Sequence, residues 1–221
     1  MERVPEPELM NNPAQARAYA QADFSAPHSM FIDKFKTVFP VGVIDGYVLD
    51  LGCGTADITV RFAEAYPNCR LDGVDGAEPM LRFGQVVVVS HGLSDRIRLI
   101  HGHLPGAKLP RRHYDVLICN SLLHHLNEGR VLWEAVRMYT RQGGAVFVMF
   151  LLRPETSEAA TRLVAEYAGG EPDILRRDFY NSLCAAYRPD EVREQLTAAS
   201  LSHLTVEIIS DRHLIAYGHR Y

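Results

Sequence analysis

The chain has 221 residues, of which 47% are hydrophobic, and carries a formal net charge of −4 at pH 7. This length and apolar content suit one globular domain with a sizeable core, and the acidic balance argues against non-specific binding to nucleic acid or anionic membranes. Residues 1–10 lack the apolar segment of a signal peptide. The longest apolar run, residues 145–152, is far shorter than the roughly 20 residues of a membrane-spanning helix. We therefore expect a soluble, cytoplasmic protein.

The cysteines are widely spaced and form no C-x-x-C pair; they are Cys53, Cys69, Cys119 and Cys184. Such spacing is typical of reduced thiols and not of a disulfide framework or a structural zinc site. The sequence therefore predicts no disulfide and no metal site.

Residues 1–40 precede the first predicted strand. Residues 14–22 are rich in alanine and favour a helix. Pro27 is expected to separate them from a second, amphipathic helix over residues 28–39. The sequence thus predicts a helical N-terminal segment ahead of the sheet.

Residues 48–63, VLDLGCGTADITVRFA, predict a buried strand, a glycine turn and the start of a helix. Gly52 and Gly54 allow a sharp turn because glycine accepts positive φ without a Cβ penalty. Thr55 is the expected helix N-cap. The missing Cβ atoms let a ligand approach the backbone, and the helix N-terminus offers unpaired N–H groups.

The glycine turn differs from the G-x-G-x-x-G fingerprint of dinucleotide-binding folds. Its third glycine position is Asp57, so the fingerprint fails. Asp50, just before the glycines, would repel a pyrophosphate but suits the ammonium of a methionine moiety. An ordinary strand-turn-helix without a ligand remains the alternative at this point.

The next predicted elements are a strand over residues 71–75, a helix over 79–90 and a strand over 97–100. The strand over 71–75 ends in Asp75, about 20 residues after the glycine turn, where a strand-end carboxylate can accept hydrogen bonds from a ribose diol. A solvated strand-end acid is the alternative. The sequence HGHLPGAKLP follows the third strand.

A fourth strand is predicted over residues 114–120 and is followed by SLLHHL. His124 or His125 is a candidate general base, because imidazole titrates near neutrality. The competing interpretation is a structural cap whose imidazoles bond to the backbone. Adjacent histidines on a helix point about 100° apart and do not match a metal-binding spacing.

The C-terminal half continues with a helix over residues 128–140, ended by Gly143 and Gly144, and a fifth strand over 145–152. About 35 residues then separate this strand from Pro189, more than a direct connection needs. The remaining predicted elements are helices over 157–168 and 174–186, a helix from Pro189, and an antiparallel hairpin of strands over 204–209 and 213–217.

The glycine turn, the VDGAEPML segment after the second strand and the LHHL loop together resemble class I S-adenosylmethionine (SAM)-dependent methyltransferases. The resemblance is strong over residues 45–152 and extends in architecture over 185–219. Its closest group includes the ubiquinone and menaquinone biosynthesis methyltransferases. It implies an α/β fold: a Rossmann-like, seven-stranded, mostly parallel sheet with an antiparallel C-terminal strand and helices on both faces. It also implies that residues 1–221 form a single methyltransferase domain.

The resemblance implies that SAM is the cofactor and S-adenosyl-L-homocysteine (SAH) the product. Carried over position by position, it implies cofactor contacts from Asp50, Gly52, Cys53, Gly54, Asp75, Gly76, Met80, His103, Leu104, Asn120, Ser121 and His125. His103 departs from the family, which usually has an acid there to accept from the adenine amino group. A neutral imidazole nitrogen can also accept a hydrogen bond.

The resemblance further implies a lid from residues 1–40 and a helical insertion, residues 153–184, over the active site. The expected substrate contacts are Tyr19, Phe24, His28, Arg153, Tyr180 and Asn181, and the expected catalytic residues are His124 and His125. The alternatives are that Tyr19, Phe24 and His28 only pack the N-terminal segment onto the sheet, and that the insertion is a solvated surface hairpin.

The function that follows is methyl transfer to a small-molecule acceptor by a monomer or homodimer without nucleic-acid or membrane partners. The alternatives are a tRNA or protein methyltransferase, or a SAM-binding protein that does not methylate. Net acidity weighs against RNA, and the loop after strand four reads N-S-L-L, without the N-P-P-Y type of signature found in amino and base methyltransferases.

Overall fold

In the computed structural model, which describes residues 1–6, 10–40 and 44–221, the strands join into one seven-stranded sheet. Its order is β3-β2-β1-β4-β5-β7-β6. The strands are β1 Gly46–Leu51, β2 Cys69–Asp75, β3 Ile97–His101, β4 Tyr114–Asn120, β5 Thr140–Leu151, β6 Thr205–Ile208 and β7 His213–His219. Strands β1 to β5 pair in parallel, and β7 pairs antiparallel with both β5 and β6. The predicted fold class is confirmed.

Helices cover both faces of the sheet. They are α1 Pro13–Gln21, α2 Ser25–Val38, α3 Asp57–Ala65, α4 Glu78–Ser90, α5 Arg130–Tyr139, α6 Ser157–Ala168, α7 Asp173–Ala185 and α8 Pro189–Ala198, with a 3₁₀ turn at Leu123–His125. Residues 7–9 of the predicted lid lie outside the described residues. No helix in the described part of the chain is long and apolar enough to cross a bilayer.

The sheet packs against two hydrophobic cores, and this explains why the sequences of its strands are nearly continuous apolar runs. Trp133 and Tyr114 are fully buried in the core that α5 and α8 cover. Phe35 contacts Phe62 and Phe147 edge-on, with ring centroids 4.9 and 5.5 Å apart, in the core that α2 and α3 cover. Strands covered on both faces lose the alternation of polar and apolar residues that a half-exposed strand shows.

Three local predictions were wrong. Gly143 and Gly144 do not end a helix, since β5 already begins at Thr140 and both glycines lie within it. They form an irregularity: Tyr114 pairs with Thr140, whereas Val116 pairs with Ala145. Glycine in a strand often marks such a bulge.

The other two errors concern helix starts. The N-cap of α3 is Ala56, with φ at 62°, and not Thr55. Pro27 does not separate α1 from α2 but lies inside the first turn of α2, which begins at Ser25. Proline is tolerated there because the first-turn N–H groups have no partner within the helix.

Candidate functional site

A cavity of about 670 Å³ lies at the carboxyl ends of the parallel strands. The glycine turn after β1, the end of β2, the loop after β3 and the 3₁₀ turn after β4 form its floor, and α1, α2 and α7 contribute its walls. Loops that follow adjacent parallel strands meet at one edge, which is where open α/β sheets bind ligands. This cavity is the candidate active site.

The glycine turn is held against β2 by its backbone. The N–H groups of Gly52 and Cys53 both donate to the carbonyl of Val74, at 2.8 and 3.1 Å. Gly52 has φ of +73°, and a Cβ added there would lie 3.0 Å from Leu122. Gly54 has φ of +52°, and an added Cβ would meet only Met80, at 3.4 Å. Gly54 therefore lies on the open side of the turn, where a side chain would enter the cavity.

Asp75 joins two of the loops that line the cavity. Its carboxylate accepts from the Gly54 N–H at 2.9 Å and from the Ala77 N–H at 2.7 Å. Burial raises the pKa of this carboxyl above its usual value, although the two backbone hydrogen bonds act in the opposite direction. A carboxylate has about four acceptor positions, so two backbone bonds leave capacity for a ligand.

Asp50 and Cys53 do not reach the cavity. Asp50 is buried beneath the glycine turn, where it accepts from the Thr59 hydroxyl at 2.6 Å, and burial raises its pKa to about 7. The Cys53 side chain packs at the position where a Cβ on Gly73 would be. Both side chains pack within the protein, next to the glycine turn. They therefore do not line the cavity, where the prediction expected them to contact the ligand.

The other predicted cofactor residues do line the cavity: Gly52, Gly54, Asp75, Gly76, Met80, His103, Leu104, Asn120, Ser121 and His125. Ser121 has φ of 55°, and its N–H donates to the Met149 carbonyl at 2.8 Å, which turns the chain sharply after β4. Asn120 Oδ1 is buried without a hydrogen-bond partner among the described residues. Such an atom is suited to receive a ligand donor.

The adjacent histidines occupy the 3₁₀ turn after β4, with ring centroids 4.4 Å apart. His124 is buried, and burial keeps its pKa well below the usual value, so its imidazole is neutral. The Arg3 guanidinium donates to the carbonyls of His124 and Leu126, at 3.3 and 3.2 Å. The turn is thus anchored through its backbone by Arg3, and both imidazoles line the cavity.

The N-terminal helices bring three predicted residues to the cavity wall: Tyr19, Phe24 and His28. The Tyr19 and Phe24 rings lie 4.5 Å apart, and burial raises the pKa of Tyr19 to about 12. His28 Nδ1 contacts the Asp57 carboxylate, which also accepts from Arg61 at 2.7 Å. His28 therefore fastens α2 to α3 at the edge of the cavity.

The insertion contributes differently from the prediction. Asn181 lines the cavity, but Tyr180 packs against the small apolar cluster between α6 and α7. Arg153 is buried away from the cavity, where it donates to the Ala186 carbonyl at 3.2 Å and to Glu191 at 2.7 Å. Tyr180 and Asn181 are adjacent on α7, so their side chains point in different directions and only Asn181 faces the cavity. Arg153 binds Glu191 in the first turn of α8 and so fixes the start of that helix.

Several cavity residues had not been predicted as site residues: Glu6, Met10, Gln15, Leu175 and Ser182. Those on α7 follow from its helical period once Asn181 is known to face inwards. No sequence pattern pointed to Glu6, because it lies in residues 1–6, which form neither a helix nor a strand.

Comparison with known sequences finds a methyltransferase domain in part of the chain. Residues 48–144 match a family described as a methyltransferase domain. The chain is 25% identical to an uncharacterized methyltransferase of Mycobacterium tuberculosis over 149 residues, which are 67% of this chain and 73% of the relative. It is 30% identical to the demethylmenaquinone methyltransferase of Geobacillus stearothermophilus over 107 residues, 48% of this chain and 45% of that one.

Solved structures show the same fold. A SAM-dependent methyltransferase from Aquifex aeolicus superposes with a TM-score of 0.64 at 16% identity, over 93% of this chain and 97% of that one. The plantazolicin methyltransferase BpumL, in complex with SAH and a pentazolic desmethylPZN analog, gives 0.67 at 13% identity, over 94% and 90%. The chain contains a methyltransferase domain and has the fold of class I SAM-dependent methyltransferases. SAM is the cofactor of this methyltransferase, and the antiparallel β7 separates its sheet from that of a dinucleotide-binding fold.

Proposed function

We propose that this methyltransferase transfers the methyl group of SAM to a small-molecule acceptor. The supporting observation is the cavity: about 670 Å³ lies between the strand ends and the walls formed by α1, α2 and α7. This volume falls within the usual range of small-molecule sites, about 300–1,000 Å³. The covering helices leave room for a small acceptor beside the cofactor, whereas a tRNA or a protein substrate needs an open surface.

In the proposed arrangement SAM lies across the carboxyl ends of β1, β2 and β4. The ribose hydroxyls donate to Asp75, the methionine part lies against the turn at Gly52 and Gly54, and the adenine lies beside His103 and Leu104. The Asn120 amide oxygen accepts from the cofactor. These roles follow from the shared cavity and from the free acceptor capacity of Asp75 and Asn120.

Residues 1–40 and 153–184 act in this proposal as the lid and the substrate cover of a single domain. Tyr19 and Phe24 face the cavity from one side, and Phe179 and Asn181 face it from the other. Gln15 on α1 donates to Asp178 on α7 at 2.7 Å, so the two segments meet. Aromatic walls suit an apolar or planar acceptor.

Methyl transfer mainly requires that the acceptor atom, the methyl carbon and the sulfur be aligned. The acceptor's nucleophilic atom forms a bond to the methyl carbon while the carbon–sulfur bond breaks and its electron pair stays on sulfur, giving SAH. The cavity would hold the two reactants in line. A base is needed only when the acceptor arrives protonated, and in that case the His124–His125 turn is the part of the cavity wall that can provide one.

The proposal is tested with methyl-labelled SAM and a cell extract separated into small metabolites, protein and RNA. We expect label in the small-metabolite fraction with the wild type and none with Gly54→Val, whose side chain would enter the cavity. The matched control is Gly92→Val, since Gly92 also has positive φ, +68°, with nothing within 4 Å of an added Cβ. Label confined to protein or RNA would contradict a small-molecule acceptor.

A further inference from the structure

Three side chains with metal-ligating atoms converge in the wall of the cavity. Glu6 Oε1 lies 3.2 Å from His125 Nδ1 and 3.8 Å from His124 Nε2. One ligating atom from each of the three residues lies within 4.8 Å of the others. The three side chains are largely buried, with exposed fractions of 8% for Glu6, 3% for His124 and 19% for His125.

The convergence is built by two distant parts of the chain. The histidines belong to the 3₁₀ turn after β4, and Glu6 belongs to the N-terminal segment of residues 1–6, which forms neither a helix nor a strand. That segment is fixed on the end of α7: the Val4 N–H donates to the Cys184 carbonyl at 3.0 Å, and Arg3 Nε donates to the Ala185 carbonyl at 2.6 Å. Arg3 and Val4, just before Glu6, are therefore fastened to the end of α7.

Two of the three groups have a buried polar atom without a hydrogen bond to the described residues. Glu6 Oε1 and His124 Nδ1 are buried without hydrogen-bond partners in the part of the chain that the structure describes. The other Glu6 oxygen, Oε2, accepts from the Ser182 hydroxyl at 3.2 Å, which orients the carboxylate. A buried carboxylate oxygen directed at two imidazole nitrogens, with no hydrogen bond of its own, needs another partner.

The separations suit one metal ion. In a tetrahedral zinc site with bonds of about 2.0–2.1 Å, neighbouring ligand atoms are about 3.3 Å apart. The observed Glu6–His125 and Glu6–His124 distances of 3.2 and 3.8 Å are close to this value, and all three ligand atoms lie within 4.8 Å of one another. Two imidazoles and one carboxylate are the ligand set of many catalytic zinc sites and of some iron(II) sites. We propose that Glu6, His124 and His125 form a binding site for a divalent transition-metal ion of the zinc type.

Neighbouring charges set the electrostatics of this site. Asp178 adds negative charge near Glu6, and Arg3 adds positive charge that is already engaged by three backbone carbonyls. The nearby acid supports a cation in the cluster. This site departs from the absence of metal expected from the sequence, since adjacent histidines alone have no metal spacing and the third ligand lies 118 residues earlier.

The site would add a further function to the cavity. Three protein ligands would leave at least one metal position open, and all three residues line the cavity in which the acceptor is proposed to bind. A metal-bound hydroxyl is much more acidic than a free one. An acceptor hydroxyl there would release its proton to solvent, and its oxygen would attack the methyl carbon as the carbon–sulfur bond breaks. This last step rests on the proposed function, whereas the metal site does not.

The test is a calorimetric Zn²⁺ titration of the full chain after removal of metal by a chelator. We expect one Zn²⁺ per chain in the wild type, and binding at least tenfold weaker in Glu6→Gln and in His125→Ala. The matched control is Glu64→Gln, which changes a surface Glu–His pair with a Glu64–His91 distance of 2.8 Å and should bind as the wild type does.

SAM binding by the same variants separates this proposal from the proposed function. Glu6→Gln keeps the size of the side chain, and we expect it to fold, by circular dichroism, and to bind SAM within about twofold of the wild type. No Zn²⁺ binding by the wild type, or equal binding by Glu6→Gln, would overturn the metal site and leave the methyltransferase assignment untouched.

Discussion

Asp75 is the residue on which the proposed cofactor arrangement most depends. It already accepts from the backbones of Gly54 and Ala77, so it couples the two loops that the ribose would contact. Charge-assisted hydrogen bonds contribute about 1.5–3 kcal/mol each. We expect Asp75→Asn to weaken SAM binding at least tenfold in calorimetry. Glu78→Gln, a similar change on an exposed acid nearby, should leave the affinity unchanged. Wild-type affinity in a folded Asp75→Asn variant would contradict the ribose contact.

At this scale the sequence predicts which residues stand at strand ends but not where their side chains point. Asp75 and Asn120 end their strands and face the cavity, as expected. Asp50 is also near a strand end, yet it turns under the glycine loop because Thr59 offers it a hydroxyl in the core. Arg153 donates a hydrogen bond to Glu191, which lies 38 residues later in the chain, and so does not reach the cavity. Such partners depend on packing between distant elements, which local patterns do not contain.

The elements themselves are predicted more reliably than the side chains. The limits of β4 and α6 agree with the prediction to the residue, because a buried strand and an amphipathic helix each have a strong period. The bulge at Gly143 and Gly144 was missed, since paired glycines are equally suited to end a helix. The segment of residues 1–6 was also missed, as its place is set by the end of α7 and by Arg3.

The contact between α1 and α7 leads to a prediction about closure. Gln15 joins these helices through Asp178, and both helices line the cavity. When SAM binds, amides of residues 14–36 and 172–184 should gain protection from hydrogen exchange together, because each segment packs on the same ligand. Helix α8, which does not line the cavity, serves as the internal reference and should not change. Protection confined to the glycine turn and the strand ends would show that neither segment acts as a lid.

For the molecule as a whole, one arrangement explains both stability and function. The parallel sheet buries its central strands on both faces and thereby brings every loop of the candidate site to one edge. The same burial traps ionisable groups next to the site. Asp50 is 1% exposed, and Glu6 is held against Ser182, and burial raises the pKa of each to about 7. Burying these carboxyl groups therefore lowers the free energy of unfolding by an amount that depends on pH.

That cost gives a prediction for global unfolding. The pKa of Asp50 is about 7 in the folded chain and 3.8 in the ordinary carboxyl, so the folded state binds more protons between these values. The free energy of unfolding should accordingly fall as pH rises from about 4 to 7, the sign that proton linkage gives for a raised acid pKa. In Asp50→Asn the amide oxygen can still accept from Thr59 but carries no charge, so the fall should be smaller in urea titrations.

Glu6 acts in the same direction as Asp50, so the pH dependence of Asp50→Asn should be reduced and not abolished. Asp45→Asn provides the matched control, because Asp45 is exposed just before β1 and its replacement should leave the wild-type slope. The slope is best compared without SAM, because ligand binding adds its own pH dependence to the apparent stability. An Asp50→Asn variant with the full wild-type slope would mean that Asp50 is already ionised beneath the glycine turn at pH 5. The turn would then rest on a buried charge and not on a neutral acid.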